Sequence, residues 1–145
     1  MLTRFRGLVL GAFIGLAATG PALAAEDAIM IGEWRTEPAK SLVCGGEAGE
    51  ILVNIATRAN TFYLSGGQKG SPEYDAYWAA LEKALKERHC FVTEKMRHLP
   101  DELVYAGPDG LDDSSGKRFK VLGTTIKQEN NDYPAFTMTT LPVAR

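Results

Sequence analysis

The sequence has no run of basic residues, and its acidic residues slightly outnumber its basic ones. It contains 18 Asp and Glu against 16 Lys and Arg, for a net charge of −2 over 145 residues. This balance argues against nucleic-acid binding, because affinity there comes largely from neutralising phosphates. The same reasoning argues against binding to anionic membrane surfaces.

Long hydrophobic segments are also absent. The longest uncharged, mostly apolar run extends from Gly7 to Ala18, which is 12 residues. A membrane-spanning helix needs about 20 apolar residues. Thr19, Gly20 and Pro21 follow this run and disfavour its extension as a helix. The run is therefore too short for a membrane anchor, and we predict no membrane span after the leader is removed.

The sequence lacks recognisable catalytic and nucleotide-binding motifs. A P-loop requires the order Gly-Lys-Ser/Thr, whereas the glycine-rich stretch 65–71 ends in Lys69-Gly70-Ser71. Without a Gly-x-Ser-x-Gly turn, no Ser-His-Asp triad can be proposed. Asp75 with Glu82 or Glu87 could suggest paired carboxylates, but their spacing places them on the charged face of a predicted helix. We predict no catalytic residue.

Metal-binding patterns are equally scarce. His89, Glu94 and His98 are the nearest grouping of ligand types, but their spacing matches neither a single helix face nor a single strand face. The acidic stretch 109–113 lacks the alternating acids and closing Glu of a calcium-binding EF-hand loop. We expect structural roles for both His and a solvated loop at 109–113, with no metal or cofactor.

The first 24 residues are the most informative segment. Arg4 and Arg6 form a basic head, the apolar run follows, and Ala22-Leu23-Ala24 places small residues at the −3 and −1 positions. This layout is typical of a secretory signal peptide, with cleavage expected after Ala24. Adjacent arginines and a nearby Cys are lacking, so the general secretory route is expected. The short head and Ala-rich end suggest a bacterium, which predicts a periplasmic or secreted protein.

Cleavage would leave one domain with both cysteines. Its 14 basic and 18 acidic residues give a net charge of −4. Two thiols in an oxidising compartment most often pair, so we predict a Cys44–Cys90 disulfide. The alternative is a reactive thiol at Cys90 beside His89, but adjacent residues rarely place their side chains face to face, and nothing else nearby resembles a nucleophile site. We expect residues 1–24 to be the signal peptide, 25–43 an irregular lead-in and 44–145 a single disulfide-linked domain.

Two helices are predicted after Cys44. Apolar residues in 47–64 recur at the spacing of one helical face, although its β-branched residues also fit a strand. The segment 72–88 is clearer, because Ser71 is a suitable N-cap and Pro72 suits the first helical position. A short glycine-rich connector makes the two helices antiparallel neighbours. This geometry places Cys44 and Cys90 at the same end of the pair.

The remainder of the chain predicts three or four short antiparallel strands, which gives an α+β fold. The expected segments are rich in β-branched and aromatic residues and separated by turn signals: 91–93, 103–106, 119–127 and 133–141. The stretch 118–141 is typical of a β-hairpin.

The order of these elements resembles a type of small exported bacterial domain of unassigned function. The resemblance rests on Cys44, the helix face Leu81–Leu85, the sequence His89-Cys90-Phe91-Val92 and the sequence Ala135-Phe136-Thr137. It implies that the strands after Cys90 form a small SH3-like barrel, and it implies an interaction module without transferring any catalytic residue.

Tyr74, Tyr77 and Trp78 form an aromatic stripe on the second helix. Helical spacing favours core packing, and the alternative is an interaction surface. Two functional hypotheses remain from the sequence. The first is a non-enzymatic binding or assembly module of the cell envelope, whose partner is an envelope protein or a peptidoglycan-type surface. The second is a small envelope hydrolase whose acidic residues converge only in the fold.

Overall fold

The computed structural model describes residues 28–145, so the predicted signal peptide lies outside the described residues. Within 28–145 the chain forms two helices, α1 (Gly49–Leu64) and α2 (Pro72–Lys86). It also forms eight strands: β1 (Ile29–Met30), β2 (Arg35–Thr36), β3 (Ser41–Gly45), β4 (Cys90–Thr93), β5 (Arg97–Tyr105), β6 (Lys120–Gln128), β7 (Asn131–Thr139) and β8 (Val143–Ala144). The fold is therefore α+β, as predicted. None of the described helices is long and apolar enough to cross a membrane.

Six strands form one antiparallel sheet in the order β2-β5-β6-β7-β3-β4. The two helices are inserted in the chain between β3 and β4, which pair directly with each other. The remaining strands, β1 and β8, form a separate two-stranded parallel ribbon. This topology places the beginning and the end of the helical insertion side by side in the sheet.

The predicted helical pair is confirmed, with ends within two residues of the expected ones. The Ser71 side chain accepts a hydrogen bond from the Tyr74 backbone N–H, and Pro72 begins α2. Helix α1 begins at Gly49, where an added Cβ would lie only 2.9 Å from Cζ of Phe136. The missing side chain thus lets α1 approach the sheet closely.

The main core lies between the helical pair and one face of the sheet, called here the helix side. Leu52 and Ile55 of α1, with Trp78 and Leu81 of α2, are completely buried. They belong to one cluster with apolar side chains of the sheet, including Leu42, Val121 and Met138. Burial of a Leu or Ile side chain contributes about 1.5–3 kcal/mol, so this cluster is the main apolar contribution to the fold.

The predicted disulfide is present. Cys44 on β3 and Cys90 on β4 are direct register partners, with Cα atoms 4.0 Å apart and a covalent Sγ–Sγ bond. The predicted antiparallel arrangement of the helices had already placed Cys44 and Cys90 close to each other. The structure supplies a more direct reason, because each Cys lies on a strand adjoining one of the helices.

The structure does not form the SH3-like barrel. The six-stranded sheet described here is open, with β2 and β4 as its edges. Closure into a barrel would need these two edge strands to pair with each other, and within residues 28–145 they do not. Pro100 lies within β5 beside a register shift, which accommodates proline inside a long strand.

The segment 28–43 differs from the irregular lead-in expected from the sequence. It contains β1, β2 and most of β3, and its residues Leu42 and Val43 are fully buried, as is Cys44 directly after them. A strand buried on both faces shows no polar alternation, and β1 and β2 have only two residues each, so neither produces a periodic pattern.

Candidate functional site

The aromatic stripe of α2 belongs mainly to the core. Trp78 is fully buried and Tyr77 is 3% exposed, whereas Tyr74 is partly buried. Their rings pack edge to face, with Tyr77 and Trp78 centroids 5.4 Å apart. Burial raises the pKa of the Tyr77 phenol, with a smaller contribution from Tyr63. The prediction of an interaction surface on α2 is therefore wrong for Tyr77 and Trp78. Both side chains pack in the core, as the alternative prediction stated.

The structure separates the residues considered as metal ligands. His98 is fully buried, whereas His89 is exposed and its nearest carboxylate, Glu87, lies 3.9 Å away. Glu94 pairs instead with Lys40. Within residues 28–145, no group of three or more His, Cys, Asp or Glu is placed to hold a metal ion.

The acidic loop has structural contacts. Asp112 accepts a hydrogen bond from the Ser114 backbone N–H, which lowers the pKa of its carboxyl. Asp113 lies 2.6 Å from the ammonium of Lys120, whose Nζ also donates to the Leu141 carbonyl. Burial lowers the pKa of Lys120, and the contacts with Asp113 partly oppose this effect. These contacts fasten the loop and the C-terminal segment to β6.

Sequence analysis did not identify a buried polar network on the other face of the sheet. The His98 ring contacts Thr124 Oγ1 through Nδ1 at 2.7 Å and Glu37 Oε2 through Nε2 at 2.6 Å. The guanidinium of Arg35 binds both carboxylate oxygens of Glu37, at 2.7 and 3.1 Å. We call these four residues the His98 network.

The hydrogen bonds of this network assign its donors. The Thr124 hydroxyl donates to the Leu99 carbonyl, so it accepts from His98 Nδ1. Burial alone would raise the pKa of Glu37, but hydrogen bonds and charges from His98 and Arg35 outweigh it and lower the pKa. Glu37 is therefore ionised at neutral pH, and His98 Nε2 donates to it in a charge-assisted hydrogen bond.

The order hydroxyl, imidazole and carboxylate in this network matches the arrangement of a catalytic triad. However, His98 is fully buried and Thr124 is 2% exposed. The Thr124 proton is also directed at a backbone carbonyl and not at the imidazole. A substrate cannot reach this hydroxyl in the described arrangement. The network instead links β2, β5 and β6 through hydrogen bonds between their side chains.

The enclosed cavity among residues 28–145 offers little room for a small-molecule ligand. A cavity of about 60 Å³ lies beside Glu37, Ser41 and Thr137. Pockets that enclose small molecules usually measure about 300–1,000 Å³. Two larger depressions, of about 290 and 350 Å³, are shallow grooves on the outer side of the helical pair.

A more distinctive surface is formed by Trp34, Arg97 and Lys127, which we call the Trp34 surface. The Trp34 side chain is 38% exposed, in the segment between β1 and β2. Arg97 Cζ lies 5.9 Å and Lys127 Nζ 5.7 Å from the centre of its ring. Both distances fall within the range of cation–π interactions.

Strand register explains why the two cations meet. His98 pairs with Ile126, so extending the β5–β6 ladder by one residue places Arg97 opposite Lys127. Like charges directly opposite each other on neighbouring strands are destabilising. The negative face of the Trp34 ring offsets part of this repulsion. Sequence analysis missed this surface because Trp34 lies in a segment with no regular pattern, and its two cations are distant in sequence.

The backbone around Trp34 is held in place on both sides. Gly32 has a positive φ of 89°, and its N–H donates to the Pro100 carbonyl of β5. Side chains alternate along the extended segment after it, so Trp34 and Thr36 lie on one side while Arg35 and Glu37 reach the His98 network on the other. Trp34 thus directly precedes β2, in a segment that is hydrogen-bonded to β5 on one side and joined to the His98 network on the other.

Comparison of the chain with models of known protein families finds no match. Comparisons with curated proteins and with solved structures also find none.

Proposed function

We propose that this chain is an exported, non-enzymatic binding or assembly module of the cell envelope, and that the Trp34 surface is its binding surface. The observation that carries the proposal is an exposed tryptophan beside the sheet whose ring lies within 6 Å of two cations on neighbouring strands. Aromatic residues and Arg are enriched at the centres of binding interfaces, where they contribute most of the binding energy. The Cys44–Cys90 disulfide is compatible with a periplasmic or extracellular protein.

The alternative function, a small envelope hydrolase, would require a deep cleft lined by at least two Asp, Glu or His side chains. The 60 Å³ cavity is lined by one carboxylate, Glu37, which is already bound by Arg35 and His98. The groove of about 290 Å³ is lined by Glu50, Glu87 and His89, but it is a shallow, open depression on the outside of the helical pair and not a deep cleft. The residues described here therefore favour the binding function.

Export is tested by expressing the full chain with a C-terminal tag in a bacterium. We expect the periplasmic or secreted fraction to contain a protein that begins at Ala25, with both thiols protected from alkylation. An intact N-terminus in the cytosol with two reactive thiols would contradict export.

Binding is tested by incubating the purified protein with isolated cell-envelope material and measuring how much sediments with it. We expect envelope material to retain the wild type and Trp34→Ala to reduce retention by about fivefold or more. Lys117→Gln is a matched control, because Lys117 forms a cation–π contact with Tyr63 elsewhere on the surface. Failure of the wild type to sediment would overturn the proposal, as would equal loss in Trp34→Ala and Lys117→Gln.

A further inference from the structure

We infer that the Trp34 surface binds a polysaccharide that carries carboxylate groups. This inference rests on the proposed function, and it adds the chemical class of the ligand. Three features of the molecule support this ligand class: the charge of the surface, the exposed ring and the shape of the surroundings.

The charge of the surface suits an anion. Arg97 and Lys127 form no ion pair with an acidic residue among residues 28–145. Arg97 donates instead to the Thr36 hydroxyl at 3.3 Å, and Asp132 lies opposite Lys127 in register without bonding to it. Two cations are thus held side by side in a chain with a negative net charge. A carboxylate placed between them would relieve their mutual repulsion and could bind the planar guanidinium through both oxygens.

The ring supplies the second element of recognition. Arg97 and Lys127 are neighbours on one face of the sheet, and both charged groups lie within 6 Å of the centre of the Trp34 ring. Trp34 is still 38% exposed with both cations in place, so part of the residue is open to a ligand. A sugar ring presents a face of C–H groups that packs against an aromatic ring, while a carboxylate on the same sugar or its neighbour reaches the cations. A carboxylated polysaccharide satisfies both contacts at once.

The shape of the surface favours a polysaccharide over a peptide. A peptide commonly binds by adding a strand to a sheet edge or by inserting side chains into a groove. The adjacent edge strand β2 has only two residues, and none of the three cavities described above is lined by Trp34. The Gly32–Pro100 backbone hydrogen bond and the His98 network hold the segment around Trp34 in place. Binding of a flat, repeating ligand therefore costs little conformational entropy in this segment.

The inference is tested with polygalacturonate as a carboxylated polysaccharide, dextran as a neutral one and poly-L-glutamate as an acidic peptide. The readout is protection of tryptophan fluorescence from quenching by acrylamide. The chain has two tryptophans, and Trp78 is fully buried, so the accessible signal reports on Trp34. Equilibrium dialysis with labelled polymer supplies an independent affinity.

We expect polygalacturonate to protect Trp34, dextran to protect it weakly and added salt to weaken the binding. Arg97→Gln and Lys127→Gln should each reduce affinity for polygalacturonate by about tenfold, since each removes a charge-assisted contact. Lys117→Gln should leave the affinity unchanged. Circular dichroism of each variant checks that the fold is retained.

The possible failures are distinguishable. If envelope material retains the protein through Trp34 but polygalacturonate does not protect the ring, the ligand class is wrong and the proposed function stands. If poly-L-glutamate bound as tightly as polygalacturonate, the inference would also be overturned. The surface would then recognise negative charge in general and not a polysaccharide. Absence of binding to both envelope material and polygalacturonate would overturn the inference and the proposed function together.

Discussion

The two faces of the sheet are closed by different kinds of interaction. The helix side is covered by α1 and α2 through a large apolar cluster that includes Leu52, Trp78 and Leu81. The opposite face buries a smaller apolar group around Val43 and Ile126, together with the ionised and hydrogen-bonded groups of the His98 network. Apolar packing depends little on pH, whereas the opposite face depends on the charge of Glu37.

Because of this difference, the residues expected to contribute most to global stability lie apart from the proposed binding surface. The helix-side core and the disulfide lie at the helical insertion, while the His98 network positions the segment that carries Trp34. We therefore expect changes in the core to lower global stability, and changes in the network to affect the Trp34 surface as well.

The largest effect is expected from the disulfide. Replacing Cys44 and Cys90 together by Ser should lower the free energy of unfolding by about 4 kcal/mol, because the bond closes a loop with a sequence separation of 46. Thermal unfolding under oxidising conditions measures the change, and wild type treated with a reductant should behave like the variant. An unchanged melting temperature would show that the cross-link contributes little to the helix side.

Leu81→Ala should lower the free energy of unfolding by about 3 kcal/mol, since Leu81 is completely buried between the helices and the sheet. Chemical denaturation measures this loss. Leu85→Ala is a matched control on the same helix, and its loss should be smaller because Leu85 is only partly buried. Equal losses would mean that the helix-side core is not packed as described.

Glu37→Gln should lower stability by about 2 kcal/mol at neutral pH, because it removes a carboxylate bound by His98 and Arg35. The pKa of Glu37 is lowered in the fold, so its stabilisation is present above the unfolded pKa and is lost as the pH falls through the folded pKa. The difference from wild type should therefore shrink below about pH 4.

Denaturation at several pH values measures this dependence. Glu94→Gln is a matched control, because Glu94 is an exposed carboxylate with a 3.7 Å contact to Lys40. A gap between wild type and Glu37→Gln that stays constant from pH 7 to pH 3 would contradict the electrostatic account of the opposite face.

The smallest effect is expected from Tyr77→Phe, which should raise stability by about 1 kcal/mol. The Tyr77 hydroxyl is buried without a hydrogen-bond partner among the described residues, and such a group is destabilising. Tyr105→Phe should show the opposite sign, because the Tyr105 hydroxyl accepts from the buried Asn60 amide. Differential scanning calorimetry can resolve the two, and a lower melting temperature for Tyr77→Phe would disprove this account of the helix side.

Local patterns account for the parts of the fold that the sequence predicted. The helix face around Leu81, the Ser71-Pro72 start of α2 and the glycine-rich connector are all encoded within a few residues. The pairing of Cys44 with Cys90 then followed from the antiparallel helices and the presence of only two cysteines. The strands β4, β6 and β7 were also anticipated from β-branched residues and turns, with ends that differ by a few residues.

The missed parts depend on contacts between distant residues. Strand β3 is short and buried on both faces, so it lacks the alternation by which a half-buried strand is recognised. Glu37 and His98 are 61 residues apart, and no local pattern relates them. The Trp34 surface likewise requires knowledge of the β5–β6 register. The open sheet could not be foreseen either, because strand order is set by pairing across the whole chain.

The position of the cross-link at the base of the helical insertion has a further consequence for the way the chain responds to a protease. The bond joins the two strands that flank α1 and α2, so the whole helical pair lies in a covalent ring. A single cut in the connector at 65–71 opens this ring without separating the two pieces. The two pieces of the nicked molecule stay covalently joined until the disulfide is reduced, and both helices remain tethered to the sheet on which they pack.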